Sequence, residues 1–308
     1  MSTQHTAVLE LHELTKRYGK FRGIESVSFN VLAGEVYGFL GPNGAGKSTT
    51  IRTLMNFQKP SSGHALIFGS DSVQNAKELK SRIGYLAGDF TMYENLSGEQ
   101  YLNFIANLRG VDPEEAHPLA KRLQADLSKK IKTLSRGNKQ KIGLIAALMH
   151  DPDLLILDEP TTGLDPLMQN VFYEILKEHT AKGKTVFMSS HILSEVQLVC
   201  DRVAFMKEGR LADIVDVHAL KREGKKEVTV INQTGNKLMQ LPEFKELEVL
   251  AHTKEKTTFV TSEPSKSLLR WLSMQPVSDV TITNVTLEDL FLKLYSGAPT
   301  VVKTKKES

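Results

Sequence analysis

One stretch constrains this chain more than any other. The apolar run Val36-Tyr37-Gly38-Phe39-Leu40 passes directly into Gly41-Pro42-Asn43-Gly44-Ala45-Gly46-Lys47-Ser48-Thr49, and then into the helix-like "STTIRTLMNF". This is the pattern G-x-x-x-x-G-K-[ST] set between a strand and a helix. A loop so poor in side chains lets backbone N–H groups around Gly44 to Lys47 converge on phosphate oxygens, because no Cβ obstructs them. The helix expected to start near Ser48 adds the positive end of its dipole. Lys47 can reach the outer phosphates, and the Ser48 hydroxyl is placed for Mg²⁺.

The rest of the chain fits a core built round that element. Short apolar runs alternate with helical patterns to about residue 217, which reads as α/β with a largely parallel central sheet. "VLELHEL" and "SVSFNV" read as opening strands, "LLILD" and "TVFMSS" as buried strands, and "RVAFM" and "RLADI" as a hairpin. Residues 92–150 are mostly helical, with Ser97 and Gln100 forming a capping box and Asp112-Pro113 opening a helix. After residue 217 the pattern becomes a small α+β domain. It has strands at "VTVI", "LEVLA", "TTFVT" and "DVTIT", a helix over about 264–274, and a last helix from Thr286 capped through Asp289. The expected organisation is residues 7–217, residues 218–297 and a solvated basic tail, 298–308.

Composition narrows the function. At 308 residues the chain suggests about two domains. A net charge of +3, from 39 basic and 36 acidic residues, is too small to argue for a nucleic-acid partner. The single cysteine, Cys200, excludes an internal disulfide and fits a reducing compartment; it is expected as a buried filler. The N-terminus lacks the basic-then-apolar order of a signal peptide. The longest apolar runs fall far short of the ~20 residues that span a bilayer. The expectation is a cytoplasmic protein, with any membrane supplied by another chain.

Further motifs complete the chemistry. "LLILDEP" is a buried strand ending in Asp158 and Glu159. Beside a phosphate-binding loop, Asp158 would hold Mg²⁺ through water, and Glu159 would polarise an attacking water. "TLSRGNKQK", Thr133 to Lys141, precedes the apolar "IGLIAALM". Alone, that stretch reads evenly as a plain helix cap or as a second anion site.

Its place just upstream of "LLILDE" decides between them, because the stretch resembles the LSGGQ signature of ATP-binding cassette (ABC) ATPases. Other marks of that family occur in order: Tyr18 in "LTKRYG", "GLDP" with Asp165, and His191 in "SSHIL". The resemblance covers about residues 7–217. It implies a P-loop α/β core with an antiparallel β portion and an inserted helical subdomain. It also implies that Tyr18 stacks on adenine, Asp165 contacts a partner protomer, and His191 hydrogen-bonds the γ-phosphate. Ser135 and the Gly137 amide would close on ATP held by a second protomer, either an identical chain or a different cassette. Hydrolysis of two ATP·Mg²⁺ would then drive a separate membrane permease, with the chain peripheral on the inner face of the plasma membrane.

Three positions depart from the pattern. Arg136 and Asn138 stand where the family has glycine and glutamine, and Gly88-Asp89 stand at the glutamine loop after "IGYLA". Either Asp89 substitutes as a metal or water ligand, or the metal uses water alone. The ending "VTLEDLFLKLYSG" looks like that of cassettes serving ABC-2 type exporters, including drug-resistance systems. The C-terminal domain has two readings, strengthening dimerisation or passive packing. The rival function is a soluble ABC ATPase acting on the ribosome or DNA, but the chain has one cassette and no coiled-coil run.

Overall fold

Strands β1 (Ala7–Tyr18) and β2 (Phe21–Leu32) pair antiparallel, and both run longer than the two alternating motifs within them. The computed structural model that shows this describes residues 6–232, 240–244 and 246–296. Next come β3 (Val36–Leu40), α1 (Lys47–Leu54), β4 (Ser62–Ile67) and β5 (Ser70–Asp71). Strands β4 and β5 complete a four-stranded antiparallel sheet of order β2-β1-β4-β5.

The second sheet is the core. After α2 (Ala76–Ser81) comes β6 (Ile83–Leu86). The helices α3 (Gly98–Arg109), α4 (Ala116–Arg122) and α5 (Arg136–Leu148) then intervene before β7 (Leu154–Asp158). The chain continues through α6 (Pro166–Ala181), β8 (Thr185–Ser190), α7 (Leu193–Val199), β9 (Arg202–Lys207) and β10 (Arg210–Asp216). The sheet order is β10-β9-β3-β8-β7-β6, and the pairs β9–β3, β3–β8, β8–β7 and β7–β6 are parallel. Every residue of β3, β7 and β8 is buried. Strands covered on both faces need an unbroken apolar run rather than alternation, which is how these three read in the sequence.

Rings of Phe29, Tyr37, Phe39 and Phe187 pack together between the two sheets, with centroids 5.3–6.1 Å apart. Cys200 is buried, and its sulfur lies where a Cβ on Gly38 would come within 2.9 Å. The capping box at α3 is complete: the Gln100 amide donates to Ser97 Oγ at 3.1 Å, and the Ser97 amide to Gln100 Oε1 at 2.9 Å. Asp112 caps a short 3₁₀ turn, Pro113–Glu115, and the α-helix follows only at Ala116.

The chain divides into two compact units, Met1–Val215 and Asp216–Ser308. The second holds α8 (Val217–Glu223), β11 (Lys226–Asn232), β12 (Glu248–His252), β13 (Lys256–Thr261), α9 (Ser265–Leu272), β14 (Val277–Asn284) and α10 (Leu287–Ser296). Its sheet, of order β12-β13-β11-β14, buries Val228, Val230 and Phe259 with Leu268 and Leu272 of α9. Thr286 and Asp289 cap α10 reciprocally, through the Thr286 amide to Asp289 Oδ2 at 2.7 Å and the Asp289 amide to Thr286 Oγ1 at 3.3 Å. The basic tail lies outside the described residues.

Candidate nucleotide site

Strand β3 delivers the glycine loop at the carboxyl edge of the parallel sheet, the place where open α/β sheets bind ligands. Two glycines are dictated by geometry. A Cβ on Gly41 would stand 2.6 Å from the Met206 carbonyl oxygen, and Gly46 sits at φ +104° with a Cβ position 2.7 Å from Ile24 Cγ2. The loop is tied down by Ala45 N–H to the Pro42 carbonyl at 3.1 Å and by Gly209 N–H to the Ala45 carbonyl at 3.0 Å. Helix α1 starts at Lys47, one residue before the expected start.

A cavity of about 270 Å³ opens over the loop, lined by Tyr18, Arg22, Gly23, Asn43, Gly44, Gly46, Lys47, Ser48, Thr49 and Glu159. Gly23 gives the Tyr18 ring its space, since a Cβ there would lie 2.8 Å from Tyr18 Cε2. The Tyr18 hydroxyl donates to Gln58 Oε1 at 2.5 Å, and Gln58 Nε2 donates to the Thr49 carbonyl at 3.0 Å. The exposed tyrosine is thereby fastened to α1 with its ring at the cavity wall.

The end of β7 supplies the acids. Asp158 is buried, and its Oδ1 accepts from the Ser189 hydroxyl at 2.5 Å. Glu159 follows with φ +50°, a left-handed conformation that is strained for a residue with a Cβ. Its amide donates to the Ser189 carbonyl at 3.2 Å and to Ser189 Oγ at 3.1 Å. Its carboxylate lies between two site residues, with Oε1 3.5 Å from Lys47 Nζ and Oε2 3.1 Å from His191 Nδ1. Lys47 Nζ also donates to the Gly41 carbonyl at 2.7 Å. Burial, and then the Asp158 carboxylate, pushes the nearby Tyr85 phenol up to about 12, so it stays neutral.

The signature segment lines a different place. Ser135 caps α5, accepting from the Asn138 amide at 3.2 Å. A Cβ on Gly137 would stand 2.5 Å from the Gly163 carbonyl oxygen, so only glycine permits this approach to "GLDP". Asp165 caps α6 by accepting from the Met168 amide at 3.0 Å. Asn138 does not point toward the glycine loop. Its side chain clamps Asp126, accepting from that residue's amide and donating to its carbonyl, both at 2.8 Å. Asp89 is likewise absent from the cavity over the loop; it lines a cleft with Arg136. Its neighbour Gly88 is the residue that touches the acid, with a Cβ position 3.2 Å from Asp158 Oδ2.

Comparison with known proteins gives the family. The family pattern described as "ABC transporter" matches residues 24–162. The bacitracin transport ATP-binding protein BcrA of Bacillus licheniformis is 34% identical over 304 residues, covering 95% of this chain and 98% of its own length. The chain belongs to the ABC transporter ATP-binding family. An ABC transporter ATP-binding protein of Bacillus subtilis, YhcH, is 36% identical over 294 residues, 93% of this chain and 95% of its own. A solved ATP-binding subunit of an ABC transporter superposes with a TM-score of 0.65 at 31% identity, over 70% of this chain and 92% of its own. The cassette MJ0796, solved as a dimer, superposes at 0.62 with 20% identity, over 68% and 98%, which shows the fold alone. This cassette is therefore an ATP-binding, transport-coupled ATPase of the P-loop α/β fold.

Three residues of the cassette's site go unannounced in its sequence. Gln140 is buried and donates from Nε2 to the Pro160 carbonyl at 2.7 Å, joining α5 to the strand-end acids. Ser189 holds both Asp158 and Glu159, and Arg22 joins the cavity wall. The sole sequence signal for Gln140 is a polar residue on the apolar face of α5.

Proposed function

We propose that this cassette is one half of a head-to-tail pair that encloses two ATP·Mg²⁺ and drives a separate membrane permease in export. The observation that carries the reading is the half-built cavity. The glycine loop, Tyr18 and Glu159 line it, and no residue of the signature segment 133–141 does. Ser135 and the Gly137 amide therefore act on nucleotide bound to another chain, and that chain's signature acts here.

The chemistry is phosphoryl transfer by positioning and charge neutralisation. Loop amides from Gly44 to Lys47 and the Lys47 ammonium take the phosphate charge, and Tyr18 offers its ring to the base. When the triphosphate enters, Lys47 exchanges its Glu159 contact for phosphate, which frees that carboxylate to orient water. His191, already 3.1 Å from Glu159, holds the terminal phosphate and fixes Glu159 between them. Asp158 and Ser48 fit a hard, largely hydrated cation: Asp158 presents one buried carboxylate edge, and among the described residues no cluster of three ligating side chains forms a closed cage. Bound Mg²⁺ would neutralise the outer phosphates.

Export is supported by the names of relatives and by the motif "VTLEDLFLKLYSG". BcrA carries bacitracin transport in its name, and a Nod factor export ATP-binding protein of Burkholderia lata is 36% identical over 226 residues. Among the described residues no helix is long and apolar enough to cross a membrane. Replacing Glu159 with Gln should trap an ATP-dependent dimer, measured by light scattering. A variant that stays monomeric with saturating ATP refutes the pair.

A further inference from the structure

Gly88, Asp89 and Arg136, where this cassette departs from its family pattern, line one cleft, whereas the third departure, Asn138, is turned to Asp126. A cavity of about 320 Å³ has one wall from segment 88–94, bearing Asp89 and Glu94, and another from the start of α5, bearing Arg136 and Lys139. The walls thus carry opposite charge. Among the described residues, none of these four side chains makes an ion pair within 4.0 Å.

Arg136 occupies the first position of α5, whose first turn holds no acid. A cation there faces the positive end of the helix dipole, so the local field repels the guanidinium from the helix start and toward the carboxylate wall. Its stem passes beside Gly163, where a Cβ would stand 3.4 Å from Arg136 Cγ. Each wall is also joined to the chemistry. Asp89 follows Gly88, which lies against Asp158, while α5 is hydrogen-bonded through Gln140 to the Pro160 carbonyl.

We propose that Arg136 and Asp89 are a positioning pair, whose attraction across this cleft sets Ser135 and the Gly137 amide in register with the acids of β7. The inference rests on the paired-cassette reading, because the groups it aligns act on ATP of the second copy.

Charge reversal tests it in the full chain. Arg136→Asp and Asp89→Arg should each lower the ATPase kcat about tenfold with KM for ATP little changed, and the double reversal should recover most of the loss. The milder Arg136→Gln should lower kcat and lose the salt sensitivity of the parent, since its amide carries no charge to screen. A double reversal as slow as either single variant overturns the pair, as does an Arg136→Gln enzyme with parental kcat and salt response. An Arg136 effect without an Asp89 effect also overturns it and assigns the guanidinium to phosphate in trans. Failure of the underlying reading is seen separately, in a Glu159→Gln protein that does not dimerise with ATP.

Discussion

Glu159 gathers the site's constraints into one residue. Its backbone is held in a left-handed conformation by Ser189, and its carboxylate bridges Lys47 and His191. Lys47 is buried, with its ammonium turned to the Gly41 carbonyl and to Glu159, so it offers a desolvated cation already aimed at the loop. Removing it should leave the loop's amides and cost the strongest charge-assisted contact, so Lys47→Ala should bind ATP about a hundredfold more weakly. Unchanged affinity by calorimetry counts against this cavity as the nucleotide site. These three side chains were legible because each sits in a local motif that follows a buried strand. Gln140 and Ser189 were not, because their contacts join residues 19 to 31 positions apart, and only the packed sheet brings them together.

At the scale of elements, legibility tracked burial. Strands β3, β7 and β8 announced themselves through unbroken apolar runs, and α3 and α10 through reciprocal caps. Strands β4 and β5 were missed because "SGHALIFGSD" is rich in turn formers and owes its pairing to β1. The cavity lined by the turn after α5 and by the end of α6 also carried no motif, although it holds a buried histidine, His179, and a half-buried one, His150. Burial, with Lys184 adding to it, pushes His179 on α6 down to about 4; burial and Arg109 do the same to His150, which follows α5. His150 shares Nε2–H with the Ile83 carbonyl, while its Nδ1 and the Nε2 of His179 are buried without a partner. Both folded values lie below the ordinary 6.5, so the unfolded chain binds protons first. Their contribution to stability is complete above pH 6.5 and is lost as pH falls toward 4. His179→Leu should therefore show a smaller drop in urea midpoint between pH 7 and pH 5 than the parent. Equal drops would mean that His179 is not buried neutral.

For the whole molecule, the question is whether nucleotide binding needs the second unit. Each unit buries its own core: the first around Phe29, Tyr37, Phe39 and Phe187, the second around Val228, Val230 and Phe259 against α9. Every residue lining the cavity over the glycine loop precedes residue 160. The sequence marked this division only by a change of pattern near residue 217, where parallel-sheet periodicity gives way to short strands. A separate core implies separate folding, because burial of apolar area within a unit is what opposes its chain entropy. A protein ending at Val215 should therefore stay soluble and bind ATP with the affinity of the full chain. If the second unit strengthens pairing, the same truncation in a Glu159→Gln background should need more protein to form the ATP-dependent dimer, measured as a shift in the light-scattering midpoint. An unchanged midpoint assigns the second unit to passive packing, and an insoluble or nucleotide-free product refutes the boundary itself.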